Sequence, residues 1–360
     1  MNKKNYIIPV FVPHFGCPND CIFCNQRKIT NQEESISEKA LSDYIEKYFS
    51  YIPKTAKNKE VAFYGGSFTG LPFSVMENYL KIANEFIQNG KINSIRLSTR
   101  PDYINESILK TLKKYNVSTI ELGVQSLDET VLELNNRGHG VSEVIEASKL
   151  IKSQNFNLGL QMMLGLYGSK LTEEISTAKS FVSLKCDFVR IYPTLVIRDT
   201  YLEYLFKNGK YKPLTLQESI EITKKLYVIF TYNKIPVIRM GLQATDNINI
   251  SGDVIAGPFH AAFGQLVKES LYFDFMDKVL EKIKLEKTLI ISANKSLISY
   301  ISGNKALNKK RLEKKYNIKM KIISQDIDVE NIFFKTDNDE FKFSFFDYIT
   351  ELYENTAVVK

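Results

Sequence analysis

Apolar and polar positions alternate along this chain in short strand-like runs separated by longer amphipathic stretches. Runs at 6–12, 60–64, 94–98, 119–124, 157–162, 188–192 and 235–239 predict strands. Between them, residues 37–49, 74–88, 105–114, 141–153 and 172–182 repeat their apolar side chains at helical spacing. Strands joined through helices of this length need right-handed crossovers and pair in parallel. The fold class is therefore α/β, and six or more such units curl into a partial or full (β/α) barrel with the helices outside. Sheets of this kind gather ligands at the carboxyl ends of their strands, so the loop after the first strand is where chemistry is expected.

That loop reads Phe15-Gly16-Cys17-Pro18-Asn19-Asp20-Cys21-Ile22-Phe23-Cys24. Thiols at C-x3-C-x2-C spacing can ligate three irons of a 4Fe–4S cluster, leaving the fourth iron open. An open metal position admits a second molecule and lets it react there. A zinc site recruiting His14 is the alternative, although zinc modules pair two ligand pairs across a spacer and no second pair is present. Four cysteines in 360 residues, three of them crowded together, argue against disulfides. The fourth, Cys186, stands at the mouth of a predicted strand and reads as a small buried apolar residue.

Further along, Gly65, Gly66 and Ser67 end the second strand, where glycines let backbone approach a small polar ligand or simply make a tight turn. Gln125 ends the fourth strand, placed to hydrogen-bond a ribose. On the next loop, the Arg137 guanidinium offers a fork for a carboxylate. Taken alone, Arg137-Gly138-His139 reads better as a solvated arginine and an exposed histidine.

Composition is that of a folded globular chain, with 44% hydrophobic and 25% charged residues. No apolar run approaches the roughly 18 residues of a membrane span, and the amino terminus lacks an apolar signal segment, which predicts a cytoplasmic protein. Charge is unevenly distributed. Residues 278–321 hold thirteen lysines and arginines against three glutamates, a local +10 within a chain total of +7, so the remainder carries about -3. The expected organisation is a core barrel over 1–250, a connecting loop and helix over 251–285, and a basic α+β module over 286–360. The loop Gly252 to His260 enters a helix predicted over 261–283 and could close over the barrel's open end. His260 reads as a helix-entry residue with a structural hydrogen bond, or as a proton carrier.

The basic module predicts a strand at 288–292, a helix at 296–301, a turn at 303–306, a helix at 308–316 and a strand at 318–323. This order resembles the core of a KH RNA-binding module, whose turn clamps a nucleic-acid backbone. Ala306 replaces the second glycine of the usual G-x-x-G. Lys305, Lys309, Lys310 and Arg311 would meet phosphates, or else form a solvated lysine-rich face.

The cysteine loop, with Ser98-Thr99-Arg100-Pro101-Asp102-Tyr103, Glu121-Leu122-Gly123-Val124-Gln125-Ser126, Asn136-Arg137-Gly138-His139 and Ile191-Tyr192-Pro193-Thr194-Leu195-Val196-Ile197-Arg198, resembles the radical S-adenosylmethionine superfamily over residues 8–240. More narrowly, these motifs resemble the branch containing the catalytic subunit of Elongator, with looser similarity to oxygen-independent coproporphyrinogen oxidases. The resemblance implies a 4Fe–4S cluster ligated by Cys17, Cys21 and Cys24, with S-adenosylmethionine at its open iron. Reductive cleavage would yield a 5'-deoxyadenosyl radical. It further implies that Phe23 shields the cluster or stacks near adenine, that Gly65, Gly66 and Ser67 meet the methionyl amine, and that Gln125, Arg137 and Gln161 contact ribose and carboxylate. A flavodoxin or ferredoxin would donate the electron, and tRNA is the implied substrate. About 120 residues follow Arg239 without a visible acetyl-CoA loop, so acetyl transfer is not implied. Ser98 stands where the porphyrinogen-oxidase branch tends to place a carboxylate. The alternatives are radical chemistry on a small molecule such as a porphyrinogen, and a non-enzymatic iron–sulfur RNA-binding redox sensor.

Overall fold

The structure, a computed structural model, describes residues 5–12, 21–25, 36–242 and 252–355. The predicted strands are present as β1 (Asn5–Val12), β2 (Asn58–Gly65), β3 (Ser94–Thr99), β4 (Val117–Gln125), β5 (Asn157–Leu164) and β6 (Phe188–Pro193), followed by the short β7 (Val196–Ile197) and then β8 (Val237–Met240). The seven longer strands form one sheet in the order β1-β2-β3-β4-β5-β6-β8, and every pairing is parallel. Its edge strands β1 and β8 do not pair with each other, so the barrel is partial.

Helices α1 (Glu38–Ser50), α2 (Phe73–Gln88), α3 (Glu106–Lys114), α4 (Glu129–Leu134), α5 (Val141–Ser153) and α6 (Leu171–Ser183) lie in the crossovers. Their starts are locally encoded. Asn105 accepts from the Ile108 amide at 2.9 Å and Asp128 from that of Val131 at 2.9 Å, each satisfying an N–H that has no partner within its helix.

Period-two alternation separates the two faces of the sheet. Val61, Phe63, Ile95, Leu97, Ile120, Leu122, Leu158, Leu160, Val189 and Ile191 are fully buried on one face. The alternate positions carry Tyr64, Arg96, Glu121, Gln161 and Arg190, whose side chains meet across the lumen. A short antiparallel ribbon joins β7 to β9 (Val254–Ala256). Part of the loop expected to lead straight into a helix is therefore strand.

The chain forms two compact units, Met1–Thr215 with Ile235–Phe259, and Leu216–Lys234 with His260–Lys360. These differ from the expected boundaries at 250 and 285. Helix α8 (Leu216–Tyr232), which follows α7 (Tyr201–Lys207), belongs to the second unit. There Tyr232 stacks on Tyr353 at 3.9 Å between ring centroids, and Lys224 pairs with Asp274 of α9 (Phe263–Lys282).

The second unit contains the strand–helix–turn–helix–strand order expected of the basic module: β10 (Thr288–Asn294), α10 (Ile298–Ser302), a turn through Asn304–Ala306, α11 (Leu307–Tyr316) and β11 (Lys319–Gln325). Two strands, β12 (Asn331–Lys335) and β13 (Glu340–Ser344), and a helix, α12 (Phe345–Asn355), complete it. The sheet order is β11-β10-β12-β13. Its core is aromatic, with Phe275 packed against Phe334, Phe345 and Tyr348.

Candidate active site

Cys21 and Cys24 lie in the described piece of the loop after β1, and Cys17 lies outside the described residues. Two distant parts of the first unit, around Asn135 and over 198–202, hold that piece. The Ile22 amide donates to the Asn135 carbonyl at 3.2 Å, the Ile22 carbonyl accepts from the Leu202 amide at 2.7 Å, and Asn25 Nδ2 donates to the Arg198 carbonyl at 3.3 Å. Ile22 is buried with Val196, Leu202, Leu205 and Tyr211, and Phe23 packs beside them with Ile255 and Ala256 of β9. The β7–β9 ribbon thus forms one wall of the cysteine loop.

Arg137 and His139 are buried, 6% and 7% exposed, which overturns their reading as solvated surface residues. Arg137 Nη1 donates to Cys21 Sγ at 3.1 Å, and Nη2 donates to the Gly123 carbonyl and meets His139 Nε2 at 3.2 Å. Both arms of the fork expected to clamp a carboxylate are therefore engaged, one of them on a cysteine. Burial, reinforced by the Arg137 charge, lowers the His139 pKa to about 4, so the imidazole is neutral near pH 7. Its Nε2 then accepts from Arg137 and its Nδ1–H faces the Gly140 carbonyl at 3.3 Å, which fixes the tautomer. Phe23 stands 6.0 Å from the Arg137 guanidinium, measured to the ring centroid.

The neighbouring strand ends supply polar groups. Val12 pairs with Gly65, so Gly65 ends β2 beside the end of β1, and Gly66 and Ser67 follow it. Gly65 has φ +103°, a conformation glycine tolerates. Gln125 takes φ +73° at the end of β4, where the strand register breaks. Its buried Oε1 has no hydrogen-bond partner among the described residues, and neither do Ser98 Oγ nor Arg137 Nε. Gly123 makes room for this arrangement, since a Cβ there would stand 3.3 Å from Gln125 Nε2 and 3.9 Å from Arg137 Nη2.

Deeper in the lumen lies a charge network that the sequence reading did not single out. Glu121 is fully buried. It accepts from Arg96 Nη1 at 3.1 Å, Arg190 Nε at 2.5 Å, the Tyr64 hydroxyl at 3.4 Å and Gln161 Nε2 at 3.3 Å. Arg96 also pairs with Glu60 at 3.0 Å. Gln161, expected to contact a ligand, is thus bound to Glu121. Burial and the Glu121 charge push the Tyr64 phenol up to about 12. For Arg190, burial opposes the charged form, but Glu121 and the adjacent tyrosines raise its pKa above the usual value. Glu60, Arg96, Glu121 and Arg190 stand at alternating positions of otherwise apolar strands, a signal that could have identified them.

The nucleic-acid candidates belong to the second unit. Lys305, Lys310 and Arg311 are exposed, Lys309 reaches Glu313 at 3.8 Å, and the Arg311 guanidinium lies 4.0 Å from the Phe273 ring centroid. Lys305 and Ala306 both take left-handed backbone, at φ +50° and +58°. His260 has the helix-entry hydrogen bond expected of it, its Nδ1 accepting from the Ala262 amide at 3.1 Å. Cys186 is buried, and burial pushes its thiol up to about 12.

The donor set fits the cofactors implied by the sequence. Cys21 and Cys24 offer sulfur ligands at the strand ends, while Gln125 Oε1 and Ser98 Oγ are buried polar atoms that a ligand carrying hydroxyl and amine groups can satisfy.

A profile of the Radical SAM superfamily matches residues 11–179, and one of the Radical SAM C-terminal domain matches residues 186–272. An uncharacterised protein of Methanocaldococcus jannaschii is 30% identical over 230 residues, covering 61% of this chain and 70% of that protein. The tRNA uridine(34) acetyltransferase of the same organism is 36% identical over 159 residues, covering 42% of this chain and 28% of the enzyme. Elongator complex protein 3 of Saccharomyces cerevisiae is 30% identical over 190 residues, covering 47% of this chain and 34% of that protein. The chain thus spans about a third or less of these two named relatives. The structure of Elp3 from Methanocaldococcus infernus, truncated at its amino terminus, shares the fold with a TM-score of 0.58 at 22% identity, over 76% of this chain and 63% of that one. The non-enzymatic sensor reading falls with these matches. The chain belongs to the radical SAM superfamily and is an enzyme whose cofactors are a 4Fe–4S cluster and S-adenosylmethionine.

Proposed function

We propose that this enzyme directs radical chemistry at a tRNA, bound in part by the basic turn and helix of its second unit. The observation that carries the reading is the exposed cation set Lys305, Lys310 and Arg311, presented by a turn between two helices in the strand–helix–helix–strand order of a KH core. Partial relatives named for tRNA uridine modification and Elongator support the same substrate class. A flavodoxin or ferredoxin as electron donor and a cytoplasmic location belong to this reading.

Within the first unit, Cys17, Cys21 and Cys24 would hold the cluster. When bound, the cofactors supply a 5'-deoxyadenosyl radical that removes a hydrogen atom from the substrate. The protein's own groups bind and orient. Arg137 fixes Cys21 against the Gly123 carbonyl, and neutral His139 completes that contact without adding a second positive charge. Gln125 Oε1 would accept from a ribose hydroxyl, and Gly65, Gly66 and Ser67 would receive the methionyl end. Glu121 and its two arginines keep the lumen rigid beneath them.

The test is tRNA binding by the full chain over a salt series. Neutralising Lys309, Lys310 and Arg311 together should weaken binding and flatten the salt dependence. Binding unchanged in strength and slope would remove this surface. Comparing tRNA nucleosides by mass spectrometry from cells with and without the enzyme would identify the product, and an identical nucleoside set would overturn the tRNA reading.

A further inference from the structure

The four-stranded sheet of the second unit has two unlike faces. Leu289, Ile291, Ala293, Met320, Ile332 and Phe334 are buried on the helical side, where Phe334 meets Phe275 of α9. The opposite face is read from the register. Ile290 is flanked by Lys321 on β11 and Lys335 on β12, and Phe333 is flanked by Ser292 on β10 and Lys342 on β13. Lys319 precedes Lys321 on the same face, opposite Thr288.

Lys319, Lys321, Lys335 and Lys342 are exposed, while Ile290, Ile323 and Phe333 are half-buried between them. Among the described residues, the ion pairs of this unit involve other cations, namely Lys224, Lys278, Lys282, Lys309 and Lys315. Against four lysines the face carries one carboxylate, Glu340, opposite Lys335. The face is therefore a basic patch with an aromatic ring and two isoleucines at its centre.

We propose that this open face is a platform for single-stranded RNA. The strand would cross from β11 to β13, with a base stacked on Phe333 and its phosphates among Lys321, Lys335 and Lys342. Base faces stack on aromatic rings whatever their sequence, and unpaired lysines release the counterions of a phosphate backbone. Four strands at about 4.8 Å spacing give a width of roughly 14 Å, enough for a few nucleotides. The direction of crossing follows from the borders. Asp326, Asp328 and Glu330 occupy the loop at one end of the strands, and Glu286, Asp337 and Asp339 lie at the other, so a polyanion running along the strands would meet carboxylates at both ends. This inference rests on the proposed tRNA substrate and assigns it a second contact surface, distinct from the turn at 303–306.

The experiment is fluorescence anisotropy of the full chain with a labelled single-stranded RNA of about eight nucleotides, longer than the face is wide, over a salt series. Phe333→Ala should weaken binding roughly tenfold, and Phe333→Tyr, which keeps a stacking ring, should bind like the wild type. The combined variant Lys321→Ala, Lys335→Ala, Lys342→Ala changes only exposed side chains and should lower the salt slope by about 2. If these variants match the wild type in affinity and slope while the Lys309, Lys310 and Arg311 variant loses binding, the sheet proposal falls and the tRNA reading stands. If wild-type protein binds neither the oligonucleotide nor tRNA, both fall. If only an acidic polypeptide such as polyglutamate binds, and the lysine variant abolishes that, the face is a protein-docking surface and the RNA assignment is wrong.

Discussion

Glu121 shows how far one side chain can organise this barrel. A carboxylate with no exposed surface is tolerated because two guanidiniums, a phenol and an amide donate to it. Glu121→Gln keeps the shape but leaves Arg96 with one carboxylate partner and Arg190 with none. It should cost about 3–5 kcal/mol in denaturant unfolding, the usual range for breaking a buried pair. A loss below about 1 kcal/mol would mean that the network relaxes around the amide.

Two other buried groups act on stability in opposite directions. Burial raises the Glu174 carboxyl to about 7, so as pH climbs from 4.5 to 7 the unfolded chain releases a proton that the native state keeps. Stability falls across that window by about 1.4 kcal/mol per pH unit. His139, lowered to about 4, does the reverse: between pH 6.5 and 4 the unfolded chain gains a proton that the native state refuses, so stability is lost as pH falls. The two slopes offset each other between 4.5 and 6.5. Glu174→Gln should therefore give a melting temperature that rises more steeply with pH over that interval than the wild type's. A variant with an unchanged profile would show that Glu174 ionises normally.

At the scale of elements, Gly159 explains how β4, β5 and β6 close on one another. It pairs with Glu121 on one side and Phe188 on the other, and a Cβ there would stand 2.3 Å from the Phe188 ring and 3.0 Å from Glu121 Cγ. The missing side chain lets Phe188 lie across the strand beneath Arg96, whose guanidinium sits 5.2 Å from the ring centroid. Gly159→Ala should destabilise by about 1–3 kcal/mol through overpacking, read as a lowered urea midpoint with an unchanged slope. The seven long strands and five crossover helices were legible because each carries its own periodicity, whereas α8 and α12 were not anticipated. Two of the missed elements carry too little local signal to read. Residues 254–256 have no period to read and become strand only by pairing with β7, while α4 is six residues long. Arg137 looked solvent-facing because its burial depends on Cys21, 116 positions away.

For the whole molecule, the cysteine spacing, paired glycines and Gln125 were readable as motifs, whereas the lumen network required knowing which strand face turns inward. The described site residues all lie in the first unit, and the basic turn and sheet lie in the second. This division predicts separable defects. Neutralising Lys309, Lys310 and Arg311 should leave substrate-free production of 5'-deoxyadenosine unchanged, while abolishing any stimulation of that activity by tRNA. Both rates are measurable by chromatography of the nucleoside, and a parallel loss of the substrate-free rate would show that the units do not act independently.

The anchoring of the cysteine loop also sets an order of events during synthesis. Cys21 leaves the ribosome long before Arg137, and Asn25 precedes its partner Arg198 by 173 residues. At translation rates of about 5–20 residues per second, the contact to Arg137 is out of reach for roughly 6 to 23 seconds. During that interval the nascent thiols have neither their guanidinium nor their apolar wall. Iron delivered then would meet an unshaped peptide, so productive cluster insertion is expected only after translation has passed β9, which completes the wall.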